Sequence, residues 1–261
     1  MPDSTWMLDQ LVADYAEVLW EEGESQYMYS DTICALVHHL KFLKRQMIQS
    51  WDLLSTWQLH ELPTRATPFS LDVVLAMAGA ALQRGWLDMA VGLLLAFQAL
   101  LRTGELLNLT CGDFQFGKVN CVVFLGLTKG GRRRNESESV VVCDDALISL
   151  LRLITEPKQR GERLVPAPTT FRRRFDTLLR DVGLQDKGYK PYSLRRGGAT
   201  HTWLVSGNMA LTTRRGRWQN QSTCKIYVQE AATLATELTF SPSQMRRIGR
   251  FKALCVGTLT A

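Results

Sequence analysis

Several side chains in the C-terminal two-thirds of the sequence are of types that bind phosphate, and they fall at spaced intervals. In LLRTGELLNLTCGDF, residues 100–114, Arg102 and Glu105 interrupt an apolar run. Glu105, three residues on along a helix, can serve Arg102 as a structural ion-pair partner. A guanidinium aimed into a cleft would instead grip phosphate oxygens through its planar fork. Lys129 stands in TKGGRRR, residues 128–134, where a short apolar run meets two glycines. Its ammonium, with Arg132, Arg133 and Arg134, reads either as solvated charge on a hairpin tip or as cations carried toward a ligand. In PYSLRRGGATHTWLVSG, residues 191–207, Arg195 and Arg196 precede a glycine pair and a stretch that reads as helical from about Ala199. Such arginines form a phosphate site at a helix N-terminus, or a pair of surface charges at a cap. GRWQNQSTCKIYVQEA, residues 216–231, places Trp218 nine residues before Tyr227. Taken alone, that tyrosine fills core or rim, in a stretch that reads as helical.

The elements that must position these residues follow from periodicity. From Trp6 to about Leu59, apolar residues recur at three- and four-residue spacing, as in Ile33, Leu36, Val37, Leu40 and Leu43, and predict a small set of amphipathic helices. HELPTRATPFS, residues 60–70, carries two prolines and suits a linker. Ser70 is placed to cap a helix running through Leu82, and Leu87 to Leu107 reads as a second, strongly apolar helical stretch. Val119 to Leu127 and Ser139 to Cys143 are β-branched runs that predict a hairpin with a long turn. Helical patterns return at Ala146–Ile154 and Thr170–Val182. The expected class is mainly α with a small antiparallel sheet (α+β). A helical N-terminal domain over 1–62 precedes a second domain over 63–261, with a C-terminal tail from about 237.

Charge separates the two parts. The 261 residues carry a formal net charge of +6 and a pI near 9.1. Residues 1–62 hold 3 Lys+Arg against 10 Asp+Glu, a net of −7, so the remainder holds 28 against 15, a net of +13. A polyanionic partner therefore belongs to the second part. With 46% apolar residues the chain has enough material for a core, which excludes global disorder. Met1-Pro2-Asp3-Ser4-Thr5 lacks the basic and apolar run of a secretion signal, and Met89–Leu101 is too short to span a bilayer. An intracellular protein without membrane insertion is expected. The six cysteines form no C-x-x-C pair and indicate neither a zinc site nor a disulfide framework.

In joint order and spacing, the residues named above resemble the catalytic domain of the tyrosine recombinase (phage integrase) family. In that family an arginine in an R-x-x-E-L context, a lysine on a β-hairpin turn, an H-x-x-R motif, a His or Trp, and a tyrosine succeed one another. Arg102-Thr103-Gly104-Glu105-Leu106 looks like the first, Lys129 like the second, and Tyr192-Ser193-Leu194-Arg195 like the third with tyrosine replacing histidine. Trp218 and Tyr227 look like the last two. The intervals, 27 residues from Arg102 to Lys129, 23 from Arg195 to Trp218 and 9 to Tyr227, fit the family's. The resemblance covers roughly residues 66–235 and suggests a core-binding-like role for residues 1–62.

The resemblance implies that Tyr227 attacks a DNA backbone phosphate, forming a 3′-phosphotyrosyl link and releasing a 5′-hydroxyl. It implies Arg102 and Arg195 as the phosphate clamp, Lys129 as the general acid, and Trp218 as packing beneath the phosphate. No ATP is expected and no metal is required. Arg132, Arg133, Arg134, Arg196 and Arg217 are the expected nucleic-acid contacts, Arg217 also being the alternative to Trp218 should the register differ by one. The implied partners are double-stranded DNA and two to four copies of the chain, which exchange the tail bearing Arg246, Arg247, Arg250 and Lys252. That tail could equally be a basic arm on the same chain's DNA. The implied compartment is nucleus or nucleoid. Tyr192 is the departure: its hydroxyl donates a hydrogen bond but is a poor base at neutral pH. That departure, with the acidic first part, also fits a recombinase-derived protein that binds DNA without cutting it.

Overall fold

In a computed structural model, which describes residues 2–60, 66–126 and 137–260, the chain forms two compact units, Met1–Arg65 and Ala66–Ala261. Unit 1 is helical: α1 (Pro2–Glu21), α2 (Gln26–His39), a single tight turn over Lys41–Arg45, and α3 (Ile48–His60). Val12, Ala16 and Leu19 of α1 meet Tyr29, Ile33, Leu43, Met47, Leu54 and Trp57 in one apolar core. The start of α3 is capped from a distance. The buried Asp9 carboxylate accepts the Gln49 and Ser50 backbone N–H groups, both at 3.0 Å, and so supplies negative charge where the helix dipole is positive.

Unit 2 begins its helices with α4 (Leu71–Gln83), α5 (Leu87–Gln98) and the short α6 (Thr103–Asn108). Ser70 caps α4 as its position predicts, accepting from Val73 N–H. The sheet is antiparallel in the order β1 (Phe114–Phe116), β2 (Cys121–Gly126), β3 (Glu138–Val142). Strands β2 and β3 pair Cys121 with Val142 and Val123 with Val140, so the alternate residues face the core. Helices α7 (Asp145–Thr155) and α8 (Pro168–Val182) follow, the second burying Phe171, Phe175, Leu178, Leu179 and Val182 along one face as their spacing predicts. The chain ends in α9 (Ser193–Ser206), α10 (Met209–Arg215), α11 (Gln221–Lys225), α12 (Glu230–Glu237) and α13 (Pro242–Leu259). The observed class is mainly α with a small antiparallel sheet, as expected.

Three local readings are corrected. The apolar stretch Leu87–Leu107 is two helices, because Leu100 adopts a left-handed φ of 50° and turns the chain between α5 and α6. Helix α9 starts at Ser193 and not near Ala199, so Arg195, Arg196, Gly197 and Gly198 lie inside it. The glycine pair permits contact: a Cβ on Gly197 would stand 2.0 Å from the Phe69 carbonyl oxygen, and one on Gly198 2.1 Å from that of Phe97. Close packing of helix on backbone offsets the helical penalty of two glycines. Tyr227 sits in the turn just past α11 and not in a helix. The segment from about 237 contains α13, which packs along α4 and buries Ile248, Phe251 and Cys255. A Cβ on Gly79 of α4 would stand 1.9 Å from the Phe251 carbonyl oxygen, and Lys252 pairs with Asp72 at 2.7 Å.

Candidate active site

The turn between α5 and α6 builds the floor of the site. Leu100, with its left-handed φ, offers its carbonyl to Arg195 of α9, which donates to it through Nη1. Arg195 Nη2 donates to the Gly216 carbonyl at 2.6 Å, and the side chain is 0% exposed. Its Nε has no hydrogen-bond partner among the described residues. Above the guanidinium lie two rings, Trp218 at 4.7 Å and Tyr227 at 5.6 Å from Cζ to centroid. Burial first, then the neighbouring Arg217 and Arg102 charges, pull its pKa down to about 10, so Arg195 remains a cation at neutral pH.

Arg102 occupies the position just before α6, where its backbone N–H donates to Glu105 Oε2 at 2.8 Å and its guanidinium pairs with Glu105 Oε1. The Glu105 carboxylate, 6% exposed, also accepts Arg217 Nη2 at 2.6 Å and lies 4.0 Å from Arg195. A second buried carboxylate joins it. Glu138, at the inward-facing start of β3, is 3.3 Å from Arg217 Nε and 3.8 Å from Arg102 Nη1. Three guanidiniums thus surround two carboxylates, and among the three Arg102 is the one that keeps substantial exposure, at 29%.

Tyr227 completes the group. Its ring centroid is 4.6 Å from that of Trp218, and its hydroxyl accepts a hydrogen bond from the Tyr192 hydroxyl at 2.5 Å. Trp218 is buried between Arg195 and Tyr227, and its indole N–H lies near enough to influence the Tyr227 oxygen while making no hydrogen bond among the described residues. Burial works to raise the Tyr227 pKa. The Tyr192 hydrogen bond, the Arg195 charge, Trp218 and Arg102 together outweigh it and leave the phenol below its ordinary value. Tyr192 moves the other way, pushed up by burial and by donating to Tyr227.

The structure thus gathers Arg102, Tyr192, Arg195, Trp218 and Tyr227. Lys129 and Arg132–Arg134 lie outside the described residues. Two expected nucleic-acid contacts are corrected: Arg196 is buried within α9, and Arg217 is spent on Glu105 and Glu138, so neither presents its charge at the surface. Arg217 does not stand in for Trp218, whose ring occupies the place beside Tyr227. Glu138 is the member that sequence reasoning missed. Its signal was an acidic residue at an inward position of an otherwise β-branched strand. His201 packs against Phe97 and is not among the site's contacts given above. Among the described residues no cluster of three metal-binding side chains occurs, and no helix is long and apolar enough to cross a membrane.

No family model and no curated protein matches the sequence. Solved structures do match. The XerH site-specific recombinase bound to its difH substrate in a pre-cleavage complex superposes at a TM-score of 0.62 with 15% identity, covering 89% of this chain and 70% of that one. The Tn1549 transposon integrase in complex with circular intermediate DNA gives 0.60 with 13% identity over 89% and 85%. The XerA recombinase gives 0.50 with 16% identity over 89% and 99%. The chain has the tyrosine recombinase fold.

Proposed function

We propose that the protein breaks and rejoins DNA strands with Tyr227 as nucleophile. One observation carries the reading: a single phenolic oxygen receives a hydrogen bond from Tyr192 and the fields of Arg195 and Arg102, which hold its pKa below the ordinary tyrosine value. An unperturbed phenol, with a pKa of about 10, is a poor nucleophile at neutral pH, so such a setting favours attack. The Tyr227 oxygen bonds to phosphorus as the bond to the 5′-oxygen breaks, leaving a 3′-phosphotyrosyl link and a 5′-hydroxyl. The reverse step rejoins the strand and calls for no nucleotide cofactor.

Arg102, the exposed member, meets the phosphate directly and stabilises its developing charge. Arg195 is sealed beneath Trp218 and Tyr227, so it acts on the phenolate from below instead of gripping the phosphate as a second clamp. Lys129 is the candidate acid for the leaving 5′-oxygen. Double-stranded DNA is the partner, engaged by two to four copies of unit 2, in nucleus or nucleoid. The exposed Arg172, Arg173 and Arg180 of α8 belong to its basic surface. Unit 1 takes a core-binding-like role, the net charge of −7 over residues 1–62 limiting any clamp on the duplex.

Incubating the full chain with a pool of randomised duplexes, each carrying a nick that lets the cleaved end diffuse away, yields a detergent-resistant protein–DNA adduct that Tyr227→Phe abolishes. DNA bound with salt-dependent affinity but no adduct would establish the second reading, a DNA-binding protein that does not cut. Tyr192 in the histidine slot and the sealed Arg195 are the observations on its side.

A further inference from the structure

We infer that Tyr192 is a catalytic hydrogen-bond donor to the nucleophile: it keeps its own proton and stabilises Tyr227 as the phenolate that attacks. The inference rests on Tyr227 being the nucleophile. It gives the residue in the histidine slot a task that a tyrosine can perform at neutral pH, where proton acceptance is closed to it.

The geometry fixes both partners. Lys190 N–H donates to Ser193 Oγ at 3.0 Å and Ser193 N–H to the Lys190 carbonyl at 2.8 Å, which closes the turn bearing Tyr192. Tyr227 N–H donates to the Cys224 carbonyl at 2.9 Å, and the Tyr227 carbonyl accepts from Thr200 Oγ of α9 at 3.4 Å. The rings stand 6.0 Å apart at 56°, so the side chains meet through their oxygens, 2.5 Å apart, and not through their faces. A contact that short between two phenols is strongest when one of them is an anion.

The surroundings decide which phenol that is. Arg195 of α9 lies under the Tyr227 ring, the Trp218 indole lies beside it, and Arg102 before α6 adds a further positive field. Cys224 of α11, buried with its thiol pKa raised, contributes no charge at neutral pH. Arg195 and Arg196 also act on Tyr192, but its partial burial and the hydrogen bond it donates to Tyr227 outweigh them and keep that phenol neutral. The proton lost from Tyr227 passes to solvent, which reaches the pair through the 38% exposed Tyr192. The proton on Tyr192 stays between the two oxygens while the Tyr227 oxygen bonds to phosphorus.

The test has two arms on the full chain. In the first, tyrosine labelled with carbon-13 at the ring ζ position is titrated by NMR, with Tyr227→Phe assigning the Tyr227 resonance. Removing a hydrogen bond to a charged acceptor, as in Tyr192→Phe, is expected to raise the Tyr227 midpoint by about one to two pH units. In the second, adduct formation with the nicked duplex pool is followed against pH. Tyr192→Phe is expected to slow it about tenfold at pH 7, with the gap closing as pH rises past the new midpoint. A midpoint that stays in place, or a rate that falls equally at every pH, overturns the inference even if Tyr227 forms the adduct. Absence of any adduct from the unaltered protein overturns the strand-breaking reading and the activating role with it, whereas the first arm separately reports whether the hydrogen bond lowers the phenol.

Discussion

Glu105→Ala is expected to destabilise unit 2 far more than a surface charge change would. The carboxylate is 6% exposed and is shared by Arg102, by Arg217 at 2.6 Å and by Arg195 at 4.0 Å. Its removal leaves Glu138 as the remaining carboxylate described in contact with two of those guanidiniums, at 3.3 and 3.8 Å. Breaking a buried ion pair by deleting one partner costs about 3–5 kcal/mol, because the surviving charge stays desolvated. Losing the bond from Arg102 N–H, which caps α6 at 2.8 Å, adds about 1 kcal/mol. In a unit of this size each kcal/mol lowers the unfolding midpoint by about 2–4 °C, so a fall of at least ~8 °C is expected. Differential scanning calorimetry on the full chain reads it, unit 1 serving as the internal control. Glu105→Gln, which keeps the capping acceptor and drops the charge, should fall in between. A Glu105→Ala transition within ~2 °C of the unaltered protein would refute the view that the carboxylate holds the cations in place.

Three further outcomes follow from the same contacts. A methyl on Gly216 would stand 1.8 Å from the Trp218 ring. Gly216→Ala should therefore push the indole off Arg195, seen as a red-shifted Trp218 emission in a variant keeping that tryptophan alone, and should lower adduct yield at least about tenfold. Arg217 adopts a left-handed φ of 58°, a strain of about 1–3 kcal/mol that glycine would relieve. Arg217→Gly nonetheless leaves Glu105 and Glu138 with one partner fewer, a loss of about 3–5 kcal/mol, so net destabilisation by urea titration is the expected sign. DNA affinity, measured from 50 to 200 mM salt, should fall linearly on logarithmic axes, and the Arg172→Ala, Arg173→Ala double variant should reduce that slope by about 2.

The sequence makes the scaffold visible where one element answers to one pattern. Ser70 before an apolar run caps α4, and the Phe171 to Val182 spacing gives the buried face of α8. It fails where a tertiary contact overrides the local pattern. Leu87 to Leu107 holds no proline, and its two glycines, Gly92 and Gly104, lie inside α5 and α6 and do not mark the break; the turn at Leu100 is held by the carbonyls that Arg195 and Arg217 require. Gly197 and Gly198 look like helix breakers, yet they are the residues that let α9 seat on Phe69 and Phe97. The order of Arg102, Arg195, Trp218 and Tyr227 along the chain announces a shared site. Nothing in that order tells which arginine faces solvent.

That division of labour follows from charge balance. Three guanidiniums packed together repel one another, and Arg195, fully buried, could not remain charged without compensation. Glu105 and Glu138 supply two negative charges from different elements, so the cluster keeps one net positive charge. The same carboxylates tie up Arg217 and draw on Arg102, which limits what a phosphate can claim from the site. Arg102 is exposed at the edge of the cluster and Tyr227 is polarised from beneath, so the surplus charge bears on one outward-facing arginine and one phenolic oxygen. In the proposed reaction, with Arg195 and Arg217 committed to partners among the described residues, lowering the Tyr227 pKa carries more of the burden, and Tyr192, the residue that departs from the expected histidine, is hydrogen-bonded to that oxygen.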